Sequence, residues 1–427
     1  MLGLWLVTVS HFVHPPSGYS PRLGGELDVT GFFPSLWTLT SPSLTPAAFS
    51  VRVWALFSGL AACYVVALLL LGSAKLRSPS ALWIVGGAAV AAHVVLLFAP
   101  PFLSNDLFHY AVFGRAVAFS GTNPYTHPIG SMTSDPLMPF ATWPGSTSHF
   151  GASFTWLSAL VARVGGDSVF GTALAFKGWM VACNLATCWM IPRLTRALHG
   201  DGTLALALYA WNPVVLLEVA VMGHNDALMI TLALAGLLLY VSGKPWWAFL
   251  ALVLSADVKQ VTAALGALLA VHFIFSLRDW RGRGKRALQL VALAVVVEGT
   301  LWWPFWAGRR TFSGSHELLF DLAQQQQSSQ VPPATWVSIG IFLGLVLLAA
   351  ALATRSRIER IVDLAGILML VFAFSIFPWK LPWYLIPALA LSAVNHRSWP
   401  SRLVLVTAIA RSAVLAGLYY CHVHALP

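Results

Sequence analysis

The chain has 427 residues, of which 58% are hydrophobic and only 9% are charged. A soluble globular chain carries about 25% Asp, Glu, Lys and Arg, and here the deficit runs along the whole length, which excludes a soluble domain on a single anchor. The net charge of +10 sits mostly in short loops between apolar stretches, the pattern of a membrane protein rather than of a nucleic-acid-binding face.

Met1–Val13 is apolar but short for a span, and it lacks a basic leading segment. Residues 14–50 are rich in Pro, Ser, Thr and Gly and read as a loop. Apolar stretches long enough to cross the hydrocarbon as helices follow near 51–72, 81–100, 168–192, 203–222, 225–243, 286–307, 333–354, 361–378 and 401–420. Residues 245–277 read as two shorter segments broken at Asp257, Lys259 and Gln260, and 381–394 is another short one. The expectation is an all-α, polytopic transmembrane protein: one membrane domain, 1–427, of about eleven to thirteen segments. Strand-like alternation is absent, which argues against a barrel. No soluble domain or internal repeat is evident. The four cysteines (Cys63, Cys183, Cys188 and Cys421) lie in apolar stretches without metal-binding spacing.

Loop charge orients the chain. Lys75 and Arg77, Arg193 and Arg196, Lys244, Arg278 to Arg286, Arg355 to Arg360, and Arg397 and Arg402 fall in alternate loops, so all can lie in the cytoplasm. The outer face then holds a long first loop, 101–167, with Gly223–Asn225, Asp257–Lys259, a second loop, 306–332, that includes Gln324–Gln327, and Phe377–Lys380. Nearly every unusual polar cluster falls on that side.

Five of these clusters could carry chemistry. Pro100-Pro101 ends a helix, and Ser104 can cap a new one with Asp106 in its first turn. Asp106 could be a general base there, or could merely stabilise the helix terminus. Gly121 to Tyr125 is a turn by composition. Asn212-Pro213 would kink its span, and His224-Asn225-Asp226 follows at the outer end. His224 and Asp226 could form a pH-active pair, or Asn225 or Asp226 could simply open the next helix. Asp257 and Lys259 sit where a span is broken, as in helices that line a site, with a local ion pair as the plain alternative. Arg309, Arg310 and Lys380 are basic residues on the face that usually lacks them, among interfacial Trp and Tyr, so a headgroup-level phosphate would offer them a partner. Glu218 and Glu298 are carboxyls within spans; Glu218 could face the same cavity as His224.

Taken in this order, the clusters resemble the GT-C glycosyltransferases, and among them the bacterial polyprenol-phosphate-mannose-dependent α-1,6-mannosyltransferases. The residues concerned are Ser104-Asn105-Asp106 with Tyr110 and Gly114-Arg115, Gly121 to Tyr125, Asn212-Pro213 with His224 to Met229, Val258-Lys259, and Pro382-Trp383-Tyr384. They cover roughly residues 100 to 390. The family's Tyr-Gly-Pro after the first outer loop is replaced by His149-Phe150-Gly151-Ala152. The resemblance implies a multi-pass enzyme of the cell inner membrane with its site on the extracytoplasmic face. It would move a hexose, mannose by preference, from a polyprenyl-phosphate sugar to a glycan or lipid-linked acceptor, with Asp106 as general base and inversion at the anomeric carbon. Asn105, Tyr110, Arg115, His224, Asn225, Asp226, Asp257, Lys259, Arg309, Arg310 and Lys380 are the candidate substrate-binding residues. No cofactor, metal or nucleic acid is expected. The competing reading is a transporter or flippase, favoured by the broken segment at Asp257–Lys259 and the Asn212-Pro213 kink.

Overall fold

The computed structural model describes residues 46–73, 80–101, 104–141, 143–312, 314, 333–375 and 381–423. Met1–Val13, the tract Gln324–Gln327 and Lys380 lie outside these residues. Among the described residues the structure is helix and turn, with one isolated bridge between Ala307 and Arg309.

The apolar stretches become helices because a peptide group in hydrocarbon must find its hydrogen bond within its own segment. In chain order they are α1 (Pro46–Gly72), α2 (Ala81–Leu97), α3 (Asp106–Ser120), α4 (Ala152–Gly165), α5 (Val169–Ala197), α6 (Gly202–Ala210) and α7 (Pro213–Val215). The last runs into a π-turn, Leu216–Val221. Then come α8 (Asp226–Val241), α9 (Pro245–Val258), α10 (Ala263–Phe275), α11 (Trp280–Trp302), α12 (Pro333–Ala353), α13 (Ile358–Ser375), α14 (Ile386–Val394) and α15 (Trp399–Val423). Among the described residues, four helical segments are long and apolar enough to cross a membrane: Trp54–Gly72, Val169–Ala197, Trp280–Phe305 and Thr335–Ala353. α6 and the segment Pro213–Val221 meet at a 53° bend and together have the length and apolarity of a broken span or a re-entrant loop. The bend falls at Asn212-Pro213, where the Asn212 side chain accepts from the Val214 amide at 2.9 Å and so caps the second half. The chain is an all-α, polytopic membrane protein. Its outward helices carry apolar side chains to the surface, as at Leu288, Val295, Val296 and Leu347, which is where lipid would cover them.

The stretch 101–167 is not simply a loop. It contains α3 and α4, which pack on each other and on α5. α3 is buried continuously from Leu107 to Ala116, polar residues included. That is why it lacks an apolar stripe: His109, Tyr110 and Arg115 are satisfied inside rather than turned to water. Arg115 donates to Asp135 at 2.7 Å, to Asp167 at 2.6 Å and to the Gly166 carbonyl at 2.5 Å. A buried guanidinium with three acceptors ties the far end of α3 to the loops on either side of α4.

Candidate active site

Asp106 opens α3, beyond the prolines that follow α2. α2 stops before Pro100-Pro101, and the Lys177 side-chain nitrogen, buried two turns into α5, donates to the carbonyls of Leu96 and Ala99. These carbonyls lie at and just beyond the C-terminal end of α2, where the helix runs out of its own donors. At the start of α3, the Ser104 hydroxyl accepts from the Asp106 amide at 3.2 Å. The carboxylate is thus presented from the first turn of a buried helix, with a quarter of its side chain still accessible (26%).

His224 reaches Asp106 from the other side. The π-turn that ends at Val221 widens the helix by one residue, and Gly223 takes φ +75°, a conformation that favours glycine. A side chain there would also strike Leu107 and Lys177. This reversal brings the His224 amide back onto the Glu218 carbonyl at 3.0 Å. The imidazole Nδ1 lies 3.1 Å from both the Glu218 carbonyl and the Glu218 carboxylate. Its Nε2 faces the Asp106 carboxylate at 3.6 Å. The ring of Trp383 covers the imidazole face, centroids 4.1 Å apart and 22° from parallel. The result is a chain, Asp106–His224–Glu218, in which His224 and Glu218 are fully buried.

The charges of the chain set one another. Burial alone would raise the Asp106 carboxyl, but the His224 imidazole, with His109 and Lys259 farther off, outweighs it and holds the group below the usual carboxylate range. Burial alone would lower His224, but the two carboxylates raise it to about 9. At neutral pH the pair is therefore carboxylate and imidazolium. His149 is pushed the other way, down to about 4, by burial, with Asp106 opposing.

A second pair flanks the first. Lys259 donates to Asp226 at 2.5 Å and lies 5.9 Å from the centroid of the Tyr384 ring. Asn225 accepts from the Tyr110 hydroxyl at 3.4 Å, while its amide nitrogen is buried without a hydrogen-bond partner among the described residues. A donor in that state suits a polar ligand.

Of the residues expected at the site, the structure brings together Asp106, Asn105, Tyr110, His224, Asn225, Asp226 and Lys259. The pairing differs from expectation: His224 joins Asp106 and Glu218 rather than Asp226, and Asp226 takes Lys259. Arg115 is occupied by Asp135 and Asp167, nine residues along α3 from Asp106, or about 13 Å at the helical rise. Asp257 accepts from the Ser153 amide at 2.6 Å and the Trp302 indole at 2.8 Å, so it caps α4 and fastens α11. Arg309 and Arg310 are exposed on the loop after α11 and take no part in the carboxylate–histidine chain. Lys380 lies outside the described residues. Lys177 and His149 were not anticipated as part of the site. A lysine two turns inside a 29-residue, largely apolar helix was itself a signal. Among the described residues no group of three His, Cys, Asp or Glu side chains is arranged to hold a metal ion.

Comparison with known proteins gives this arrangement its relatives. The family model described as alpha-(1->6)-mannopyranosyltransferase, N-terminal domain, matches residues 36–275, which include both Asp106 and the His224 to Asp226 run. Alpha-(1->6)-mannopyranosyltransferase A of Corynebacterium glutamicum is 28% identical over 202 residues, 46% of this chain and 41% of that protein. Alpha-(1->6)-mannopyranosyltransferase A of Mycobacterium tuberculosis is 25% identical over 354 residues, 76% of this chain and 65% of that protein. The chain therefore spans less than two thirds of the length of these relatives. No solved structure matches it. The model match covers more than half of the sequence, and the chain belongs to the alpha-(1->6)-mannopyranosyltransferase family.

Proposed function

We propose that this protein is a membrane mannosyltransferase that moves mannose from a polyprenyl-phosphate carrier to a glycan or lipid-linked acceptor on the extracytoplasmic face of the cell inner membrane. The observation that carries the reading is the partly accessible Asp106 carboxylate facing the buried His224 imidazole at 3.6 Å, in a chain of this family.

In this scheme the acceptor hydroxyl oxygen attacks the anomeric carbon from the face opposite the phosphate. The bond between that carbon and the phosphate oxygen breaks, and the phosphate departs with the electron pair, so the configuration inverts. The proton of the attacking hydroxyl goes to Asp106. Its depressed pKa suits a late transfer: the oxygen becomes strongly acidic only once it has bonded to carbon, and even a weak base then takes its proton. Phosphate is a weakly basic leaving group, so one carboxylate suffices where glycoside hydrolysis needs two. Lys259, held by Asp226 beside Tyr384, is the cation best placed to meet charge growing on the phosphate. The unsatisfied Asn225 amide is a donor for a sugar hydroxyl.

The test is transfer of radiolabelled mannose from polyprenyl-phosphate-mannose by the purified protein in detergent, with Asp106→Asn beside the wild type. Loss of at least about a thousandfold in the variant, with unfolding unchanged, is the expected result. Retained transfer would move the base elsewhere, with Asp226 the next residue to replace. No transfer by the wild type with crude membrane acceptors would overturn the reading and favour a carrier.

A further inference from the structure

Trp143 stands out among the exposed aromatics. It is 59% exposed and takes φ +54°, a left-handed conformation that a bulky side chain rarely adopts. Its loop is nevertheless firmly held. The Trp143 carbonyl accepts from the Ser146 amide and hydroxyl, both at 2.9 Å, and the Gly130 amide donates to the Pro144 carbonyl at 2.7 Å. Beneath it, Phe140 packs on Phe108 of α3, ring centroids 5.3 Å apart, and Ile129 and Leu137 are fully buried. A loop with a closed apolar underside thus holds one large ring outward in a strained backbone. The ring packs on His109, centroids 5.1 Å apart, and His109 lies one turn along α3 from Asp106, on the same face. Strain of this kind persists where the surroundings enforce it, and it clusters at ligand sites.

We propose that Trp143 is the platform for the acceptor: a pyranose lies with its apolar C–H face on the indole, which presents a hydroxyl toward Asp106. The ring face carries negative electrostatic potential and attracts the weakly positive C–H groups of a sugar, while the rim of the sugar stays free to hydrogen-bond. The inference rests on the mannosyltransferase reading and adds to it the residue that seats the acceptor sugar. The other role open to an exposed Trp is that of a membrane-interface anchor. Trp303, 79% exposed after α11, provides the control for it.

The experiment titrates octyl α-1,6-mannobioside as acceptor at saturating polyprenyl-phosphate-mannose, using the full chain and its W143A, W143F and W303A variants. The expected result is an acceptor KM raised about five- to tenfold in W143A, with kcat and donor KM within about twofold of wild type. W143F keeps most of the affinity, and W303A matches the wild type. An unchanged acceptor KM in W143A overturns the platform, as does an equal rise in W303A or a fall in kcat alone. So does a wild type that transfers to membrane acceptors but ignores the mannobioside. If W143A does not fold, the W143F titration and saturation transfer from the aromatic protons of the wild type to the C–H protons of the mannobioside decide the question; no transfer overturns the proposal. A wild type that discharges no donor at all fails the functional reading itself, whereas an active wild type insensitive to W143A fails only this inference.

Discussion

Glu218→Gln should shift the alkaline limb of the pH–rate profile. In the wild type, His224 is raised from its ordinary 6.5 to about 9, which corresponds to roughly 3 kcal/mol in favour of the imidazolium. A raised imidazole contributes stability that is fully present below its unfolded pKa and is lost as pH climbs through about 9. The wild-type rate should therefore hold from mildly acidic pH and fall as His224 loses its proton. The Glu218 carboxylate lies 3.1 Å from the ring and the Asp106 carboxylate 3.6 Å. At an effective dielectric near 20, each is worth about 5 kcal/mol of attraction before desolvation is subtracted. Removing the nearer charge thus cancels most or all of the net raise. The limb should move down by about two units, toward pH 7 or below. Initial rates of mannosyl transfer between pH 6 and 10, with thermal unfolding to confirm an intact fold, read this directly. A limb that stays near 9 in the Gln variant would refute the claim that Glu218 holds the charge on His224.

Two further outcomes test the framework. Lys259→Met strands the buried Asp226 carboxylate and should cost about 3 kcal/mol, seen as a lower unfolding midpoint. Adding Asp226→Asn should restore most of that loss, and a double variant that merely sums the two single costs would show that the pair is not coupled. Gly151→Ala should destabilise by about 3 kcal/mol or more, because a Cβ there would overlap the Asp257 carbonyl oxygen, a backbone atom that cannot swing away. An unaltered unfolding midpoint would mean that α4 and the end of α9 are not in close contact.

Much of this framework was legible in the residues themselves. Asn212-Pro213 announced a bend, because proline cannot donate to the helix it enters, and the bend is there. Ser104-Asn105-Asp106 after two prolines announced a new helix, and α3 begins at Asp106. Partner choice was harder to read. His224 and Asp226 look like neighbours in sequence, but the π-turn and Gly223 turn His224 back toward Glu218, while Asp226 starts a new helix that faces Lys259. Helical spacing cannot foresee an added residue in the turn. Arg115 entered the candidate set through the resemblance and Asp257 through the cost of a charge at a helix break; the structure adds what each fastens, Arg115 the loops around α4 and Asp257 the Ser153 amide and the Trp302 indole. The length of α3 was less legible than its start, because His109, Tyr110 and Arg115 are satisfied inward and leave no apolar stripe.

The distinction between fastening and chemistry can be argued from cost. Arg115 binds its carboxylates and carbonyl with full hydrogen-bond geometry, so its charge is repaid where it lies. The Asp106–His224–Glu218 chain is not satisfied in this way. Its central contact is 3.6 Å, and the imidazole Nε2 and the neighbouring Asn225 amide lack hydrogen-bond partners among the described residues. A helix start needs only a Ser or Asn to cap it, and apolar side chains would fill the space beneath Trp383 at less expense than two carboxylates and an imidazolium. A fold selected for stability alone would keep neither the charges nor the loose contact. Both are accounted for if Asp106 must remain ionised and partly open, with its last interactions completed only when a substrate hydroxyl arrives.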